Sequence, residues 1–416
     1  MSWFRSLYNT IIEYFHFIVV FILLIAFYPY EFYSAYMIDL TGSMAQIFEL
    51  SIILLLVLCS IFRKHKLNIP NYLYAVIVMQ FLGLVFTNIA KGESVPIGQM
   101  LLKFTALMMV VYLSATCGLI SFFKKYNRWI FLMALGGAIS LVLMWAGMLE
   151  PLYPFIDLAD ESTMYNYGIT FAQYTDVSVY RPAGFFDEPG ALASWGMFAI
   201  LLNRAFVKDG KIEILIIACL FATISFGFFL QLAVFVTLFM LTGVKSKKLI
   251  RNILFIVIGL AVVITTLSGL KGTKYDSIYE KTIGRFENIS QERKTQGGGA
   301  LSVDNRKEYT EAALKEFYEN PLFGTKKKNI EVGNNVYEPL ALYGIIGTFF
   351  LYFPFIFLFF KAIKDKDSVM IKCMIVMFLG FLHRPFHNNL LSHFIIYSFL
   401  ALYYQQRLLD KKPSMK

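Results

Sequence analysis

The chain has 416 residues, of which 57% are hydrophobic and 16% are charged, and its formal net charge is +10. The core of a soluble protein of this length could not bury so many apolar side chains, so the composition indicates a polytopic membrane protein. The basic residues form short clusters between apolar runs, which is typical of cytoplasmic loops and gives no support to nucleic-acid binding. The four cysteines lie inside apolar runs, and we expect neither a disulfide framework nor a metal site.

Several apolar runs reach the roughly 20 residues that a bilayer-spanning helix needs. They predict an all-α polytopic fold, a single transmembrane domain over residues 1–416, with about twelve transmembrane helices. Residues 212–243 are too long for one helix, and the Ser225–Phe226–Gly227 sequence predicts a tight turn that divides them into two short spans. The other ten spans are predicted at 17–36, 46–61, 72–90, 100–122, 129–149, 189–207, 250–270, 338–360, 368–383 and 388–404.

The distribution of Lys and Arg predicts the orientation, because cytoplasmic loops carry the excess of these residues. One alternating set of short segments holds 21 basic residues, and the other holds only three: Lys91, Arg181 and Arg384. We therefore expect both termini in the cytoplasm and two large outer loops, 150–188 and 271–337. The cytoplasmic loops are short and carry no phosphate-binding glycine motif, so any chemistry is expected on the outer face without a bound nucleotide.

The first outer loop carries seven acidic residues and a single base, Arg181. It ends in Asp187–Glu188–Pro189, directly before an apolar run. Proline and acidic residues are ordinary signals of a helix start, and this is one interpretation of the tripeptide. The other is that the carboxylate of Glu188 is held at the membrane surface as a general base, with Asp187 better placed as the helix cap.

The second outer loop contains a stretch of helical periodicity, 305–319, for which Asp304 is a predicted N-cap. Arg306 would then lie in the first turn, where a cation opposes the helix dipole. A bound anion would relieve this conflict, although an ordinary exposed arginine is the alternative. Glu338, which precedes Pro339, allows the same two interpretations as Glu188.

A further polar cluster separates the last two apolar runs and contains Arg384 and His387. Arg384 is a candidate anion clamp, or else a side chain that extends from the membrane to the interface. His387 is a candidate hydrogen-bond donor to a phosphate, or a group that exchanges a proton near neutral pH. Asn334 and Asn335 are candidates for binding sugar hydroxyls. If Arg181, Arg306 and Arg384 converge, they form a site for a lipid diphosphate beside one or two carboxylates.

Three segments resemble the O-antigen polymerase (Wzy) family, which is related to the O-antigen ligases. They are RPAGFFDEPGALAS (181–194), NRKEYTEAALKEFYENPLFGT (305–325) and NNVYEPLALYGIIG (334–347). Their order, and the pattern of about twelve spans with two large outer loops, also resemble that family. The ligases commonly carry a His-Asn pair where this chain has Asn334–Asn335, which favours a polymerase.

The resemblance implies a glycosyltransferase of lipopolysaccharide biosynthesis in the bacterial inner membrane. It would join oligosaccharide repeat units carried on undecaprenyl diphosphate at the periplasmic face and release undecaprenyl diphosphate, with no metal or cofactor. Catalytic roles fall to Glu188, Arg181 and Arg306, and substrate binding to Arg384, His387, Asn334, Asn335 and Glu338. Membrane lipid, a chain-length regulator and a flippase are the expected partners. An O-antigen ligase, or a flippase or transporter of lipid-linked oligosaccharides, is the alternative.

Overall fold

The computed structural model describes residues 71–94, 97–116, 118–157, 163–174, 181–186, 188–242, 300–327, 335–385 and 389–411, with a few separate positions between 251 and 279. This part of the chain is mostly helical. Its α-helices are α1 (Asn71–Lys91), α2 (Ile97–Thr116), α3 (Leu119–Trp145), α4 (Pro189–Leu202), α5 (Gly210–Leu220), α6 (Phe226–Val236), α7 (Ala300–Glu319), α8 (Glu338–Leu351), α9 (Phe353–Lys364), α10 (Ser368–His383) and α11 (Leu390–Lys411). The predicted spans 17–36 and 46–61, and most of 250–270, lie outside the described residues.

Four helices of the described part are long and apolar enough to cross a membrane: α1, α2, α3, and α4 together with the π-helical turn Asn203–Val207 that continues it. Helices α8 and α9 make a fifth if the bend of 42° between them falls within one span. The helical membrane class predicted from composition is therefore confirmed.

The predicted boundary between the spans 100–122 and 129–149 is wrong. Helix α2 ends at Thr116 and α3 begins at Leu119, ten residues before the predicted start. Gly118 makes the break with a φ of 76°, a conformation that glycine adopts without steric cost. Lys124 and Lys125 therefore lie on the first turns of α3, where long side chains can bury their stems and keep the charge in water.

Helix α4 is the centre of the bundle, because all 14 of its residues are buried. It packs against α3, α5, α6 and α10. Small residues allow this close approach: a Cβ at Gly196 would overlap the Leu220 side chain of α5. The aromatic ring of Phe198 packs against Phe381 of α10, with the ring centroids 5.5 Å apart. Glu188, a candidate site residue, lies at the N-terminus of this helix.

The structure has a break close to the turn predicted at Ser225–Gly227, but the break lies at Phe221–Ser225, because Phe226 and Gly227 belong to α6. Helix α5 is followed by the single 3-10 turn Phe221–Thr223, and α6 begins at Phe226. Ile224 between them has a φ of 48°, a left-handed conformation that is strained for a β-branched residue. Helix α5 has 11 residues and is about 16 Å long. Helix α6 and the π-helical turn Thr237–Leu241 that continues it have 16 residues and are about 24 Å long, so neither segment alone crosses a bilayer core of about 30 Å.

The segment between α3 and α4 forms a small sheet that the sequence analysis did not predict. Its strands are β1 (Tyr153–Asp157), β2 (Thr163–Asn166), β3 (Phe171–Tyr174) and β4 (Arg181–Gly184), paired antiparallel in chain order. Strand β4 packs against α3 and α4. A Cβ at Gly137 of α3 would lie 2.8 Å from Pro182 Cβ, so the glycine allows the strand to approach the helix. The sheet thereby fixes Arg181 close to the start of α4.

The segments before and within α8 interlock through two glycines with positive φ, Gly324 at 79° and Gly344 at 63°. A Cβ at Gly324 would lie 2.5 Å from the Leu342 carbonyl, and one at Gly344 would overlap the Leu322 backbone. Backbone N–H groups complete the contact, as Ile345 donates to the Pro321 carbonyl at 2.9 Å. This interlock holds α7 against α8 and explains why both segments need glycine.

Candidate functional site

Glu188 and Arg384 form an ion pair although they are 196 residues apart in the chain. Glu188 is the residue that precedes α4, and Arg384 directly follows α10. The carboxylate makes no side-chain capping hydrogen bond to its own helix. The Glu188 and Arg384 side chains are 34% and 13% exposed, so the pair lies partly out of water. Glu188 therefore serves a tertiary contact with Arg384 in addition to marking a helix start.

Gly190 provides the space in which the Arg384 guanidinium lies. A Cβ at position 190 would be 2.7 Å from Nη2 and 3.2 Å from Cζ of Arg384, well inside ordinary contact distance. The guanidinium thus rests against the first turn of α4, the positive end of the helix dipole. Two positive features, the cation and the helix start, are held side by side with one carboxylate, and this arrangement suits an anionic ligand.

Arg181 reaches the strained turn between α5 and α6. Its Nε donates to the Thr223 carbonyl oxygen at 3.3 Å, and its Nη2 donates to the Ile224 carbonyl oxygen at 3.4 Å. Both bonds are long, and the side chain is partly exposed. These contacts fix strand β4 to the turn and orient the cation.

His383 connects the Arg384 region to the start of α6. Its imidazole lies where a Cβ at Gly227 would be, so only glycine permits the contact at this point of the first turn of α6. The ends of α4 and α6 that carry the first turns therefore approach the same end of α10. His383 is not among the candidate residues predicted from the sequence, because the sequence does not show its contact with Gly227.

Glu338 and Asn335 lie at the start of α8. Glu338 is the first residue of that helix and is partly exposed. Asn335 Oδ1 accepts from the Tyr337 N–H at 2.8 Å, and Asn335 Nδ2 donates to the Tyr309 carbonyl of α7 at 3.4 Å. Asn335 therefore links α7 to the start of α8. The Tyr352 hydroxyl, at the α8–α9 bend, donates to the Pro385 carbonyl at 3.0 Å, next to Arg384.

The side chains of three candidate residues are not described by the structure. His387 and Asn334 lie outside the described residues, and Arg306 is described only as a backbone position of α7. The N-cap predicted at Asp304 is wrong, because α7 begins at Ala300 and continues through Asp304. Residues 300–303 (ALSV) favour a helix as far back as the preceding glycines, so Arg306 is the seventh residue and not in the first turn. The geometric reason for an anion at that helix start is thereby lost.

Among the described residues, the candidate site comprises Arg384, Glu188, Arg181 and His383, together with the first turns of α4 and α6. Cations and helix N-termini predominate, and both favour an anionic ligand such as a phosphate. The carboxylate of Glu188 lies within reach of the same guanidinium, so an acceptor for a proton is present beside the anion site. The arrangement can therefore bind an anionic leaving group and deprotonate a hydroxyl close to it.

Comparison with known proteins adds no relative to this description. No family model matches the chain, and no curated protein matches it. The resemblance to O-antigen polymerases thus depends on the three short segments. Two of these segments, 305–325 and 334–347, meet in the structure at the interlocked glycines Gly324 and Gly344.

Proposed function

We propose that the chain is an O-antigen polymerase that joins undecaprenyl-diphosphate-linked oligosaccharide repeat units. The single observation that supports this most is the Glu188–Arg384 pair at the start of a fully buried apolar helix, with Arg181 on the adjacent strand. A lipid diphosphate needs a cationic site at a membrane surface and an apolar bundle beside it for the polyprenyl tail. The ion pair and the buried apolar helix at this end of α4 support the proposal.

In the proposed reaction, the diphosphate of the growing chain binds to the Arg384 guanidinium in place of the Glu188 carboxylate. This exchange leaves the carboxylate free to accept the proton of the attacking hydroxyl at the non-reducing end of the acceptor unit. The hydroxyl oxygen forms a bond to the anomeric carbon, and the bond from that carbon to the diphosphate oxygen breaks. Undecaprenyl diphosphate leaves with the bonding electron pair, and the arginine stabilises the charge that develops on it.

The remaining candidates extend this site. Arg181 shares the diphosphate, while Glu338 and Asn335 lie on the α7–α8 side, where the sugar of the acceptor unit would bind. Arg306 keeps the catalytic role that the resemblance implies. His387 and Asn334 keep the roles that the sequence suggests, phosphate contact for His387 and sugar contact for Asn334. The reaction uses an activated leaving group and calls for no metal or cofactor.

The proposal also includes the number of spans and their orientation in the membrane. About twelve spans cross the bacterial inner membrane, both termini are cytoplasmic, and the loops 150–188 and 271–337 face the periplasm. Single cysteines placed in the 158–162 stretch between β1 and β2 should react with a membrane-impermeant maleimide in intact spheroplasts. Labelling only after lysis would reverse the orientation and remove the site from the periplasmic face.

A strain that lacks the gene tests the function against its two rivals. Loss of a polymerase leaves single repeat units on the surface polysaccharide, because export and ligation continue. Loss of a flippase leaves no repeat unit on the surface, and loss of a ligase leaves polymer that is not attached to its lipid acceptor. Either of the last two results contradicts the proposal, whereas single units that return to a ladder on complementation support it.

A further inference from the structure

The end of α4 opposite Glu188 borders a basic cavity of about 550 Å³ that is largely open to solvent. Its lining consists of three lysines, one acidic residue, Gly210 and two apolar side chains: Lys124 from α3, Lys208 and Lys211, Asp209, and Val207 and Ile214. The cavity lies at the other end of the bundle's central helix from the proposed diphosphate site. It therefore belongs to a different surface, and the polymerase proposal does not use it.

The turn that carries Lys208 and Lys211 is held by Asn203, which is fully buried. Asn203 Nδ2 donates to the Asp209 carbonyl at 2.8 Å and to Glu213 Oε2 at 3.1 Å, and the Lys208 N–H donates to the Asn203 carbonyl at 2.6 Å. Lys208 itself has a φ of 61°, so the turn directs the chain sharply into α5. The hydrogen bonds of this turn therefore fix the backbone positions of Lys208 and Lys211.

The nearby acidic groups are engaged in contacts of their own. Glu213 pairs with Arg204 and accepts from Asn203, and Asp209 Oδ1 accepts from the Lys211 and Ile212 N–H groups at 3.1 and 3.3 Å. Within the described ranges, the ammonium groups of the three cavity lysines form no ion pair with an acidic side chain. Their charge is therefore available to a ligand, and that ligand is an anion.

An apolar surface adjoins the cavity. Ile214, which lines it, is 68% exposed, and the next residue of α5, Leu215, is 45% exposed. Basic pockets at the ends of transmembrane helices bind phosphate headgroups, and adjoining apolar side chains receive the acyl chains. A soluble anion has no use for the exposed isoleucine and leucine, so these residues favour a lipid.

We propose that the cavity formed by Lys124, Lys208 and Lys211 binds the phosphodiester headgroup of an anionic phospholipid, with an acyl chain along Ile214 and Leu215. The purified full chain in neutral detergent is titrated with phosphatidylglycerol, and bound lipid is counted by native mass spectrometry. The variant Lys208→Gln/Lys211→Gln should bind the lipid about 30-fold more weakly, which corresponds to about 2 kcal/mol for two lysines near a headgroup. Lys208→Arg/Lys211→Arg should retain the affinity of the parent.

The control is Lys364→Gln/Lys366→Gln, in the turn between α9 and α10. These two lysines are also exposed, Lys366 has a similar φ of 53°, and the change in net charge is the same. The control should bind phosphatidylglycerol like the parent. An equal loss of lipid affinity in both variants would show that the lysines act only through general charge attraction, and it would overturn the proposed binding site. So would unchanged binding by Lys208→Gln/Lys211→Gln, or binding of sn-glycerol 1-phosphate as tight as that of the lipid.

Discussion

Gly190→Ala tests whether the position of the Arg384 guanidinium against α4 is needed for activity. The added Cβ would lie 2.7 Å from Nη2 and 3.2 Å from Cζ of Arg384. Carbon contacts have their optimum near 3.5–4.0 Å, so the guanidinium must move by about 1 Å. That movement shifts it relative to the Glu188 carboxylate and to the proposed diphosphate position.

The expected effect on activity is much larger than the effect on stability. Alanine is favoured over glycine within a helix by up to about 1 kcal/mol, and the atoms that must move belong to the end of a flexible side chain. The change in the free energy of unfolding should therefore stay within about 1 kcal/mol. A displacement of about 1 Å in a reacting site costs on the order of 100-fold in rate, so chain extension should fall to short ladders or single units.

The assay is the length distribution of surface polysaccharide in the complemented deletion strain, with the thermal midpoint of the purified variant beside it. Gly98→Ala is the matched control, because Gly98 is also the second residue of an apolar helix and its added Cβ meets nothing within 4 Å. A full ladder from a stably inserted Gly190→Ala variant would refute the reasoning. A large fall in its thermal midpoint would show that Gly190 serves packing instead.

Three further predictions concern separate parts of the molecule. Arg384→Lys should lose chain extension nearly as fully as Arg384→Ala, because an ammonium cannot make the bidentate phosphate contact; a normal ladder from the lysine variant would exclude that geometry. Gly344→Ala should destabilise the protein by at least about 1–3 kcal/mol, since its φ is 63° and the Cβ overlaps the Leu322 backbone, and an unchanged thermal midpoint would contradict the interlock. A hydrogen bond from Lys327 lowers the pKa of Glu316, so its stabilising contribution is present above the ordinary pKa of 4.5 and is lost as the pH falls below that value. In the Glu316→Gln variant the thermal midpoint should therefore fall less steeply as the pH is lowered below 4.5. An unchanged pH dependence would show that the ion pair does not contribute to folding stability.

Hydropathy and helix-start signals predicted several of the described helices. The segment 368–383, predicted as a span, coincides with α10, whose 16 residues make it shorter than the helices that are long enough to cross a membrane. Pro189 begins α4, as the preference of proline for the first helical turn predicts. The turn at Ser225–Gly227 was predicted because a continuous apolar run exceeded the length of one span. These features depend on the local sequence, so a single sequence is sufficient to predict them.

Features that depend on tertiary contacts could not be predicted from the sequence. The Glu188–Arg384 pair joins segments far apart in the chain, and nothing in either segment specifies its partner. The four-stranded sheet also escaped prediction, since its strands have only four or five residues and lack sustained alternation. The boundary at Gly118 was missed because the basic residues that follow it were interpreted as a loop, whereas α3 carries them on its first turns.

The most direct test of the account is release of undecaprenyl diphosphate by the purified protein in proteoliposomes. The substrate is the lipid-linked repeat unit extracted from the deletion strain, and polymer length is measured in the same samples. The parent protein should release one undecaprenyl diphosphate for each new linkage, while Arg384→Ala releases none although it reconstitutes normally. Polymer formation by Arg384→Ala at the parental rate, or no release by the parent protein, would contradict the proposed diphosphate site.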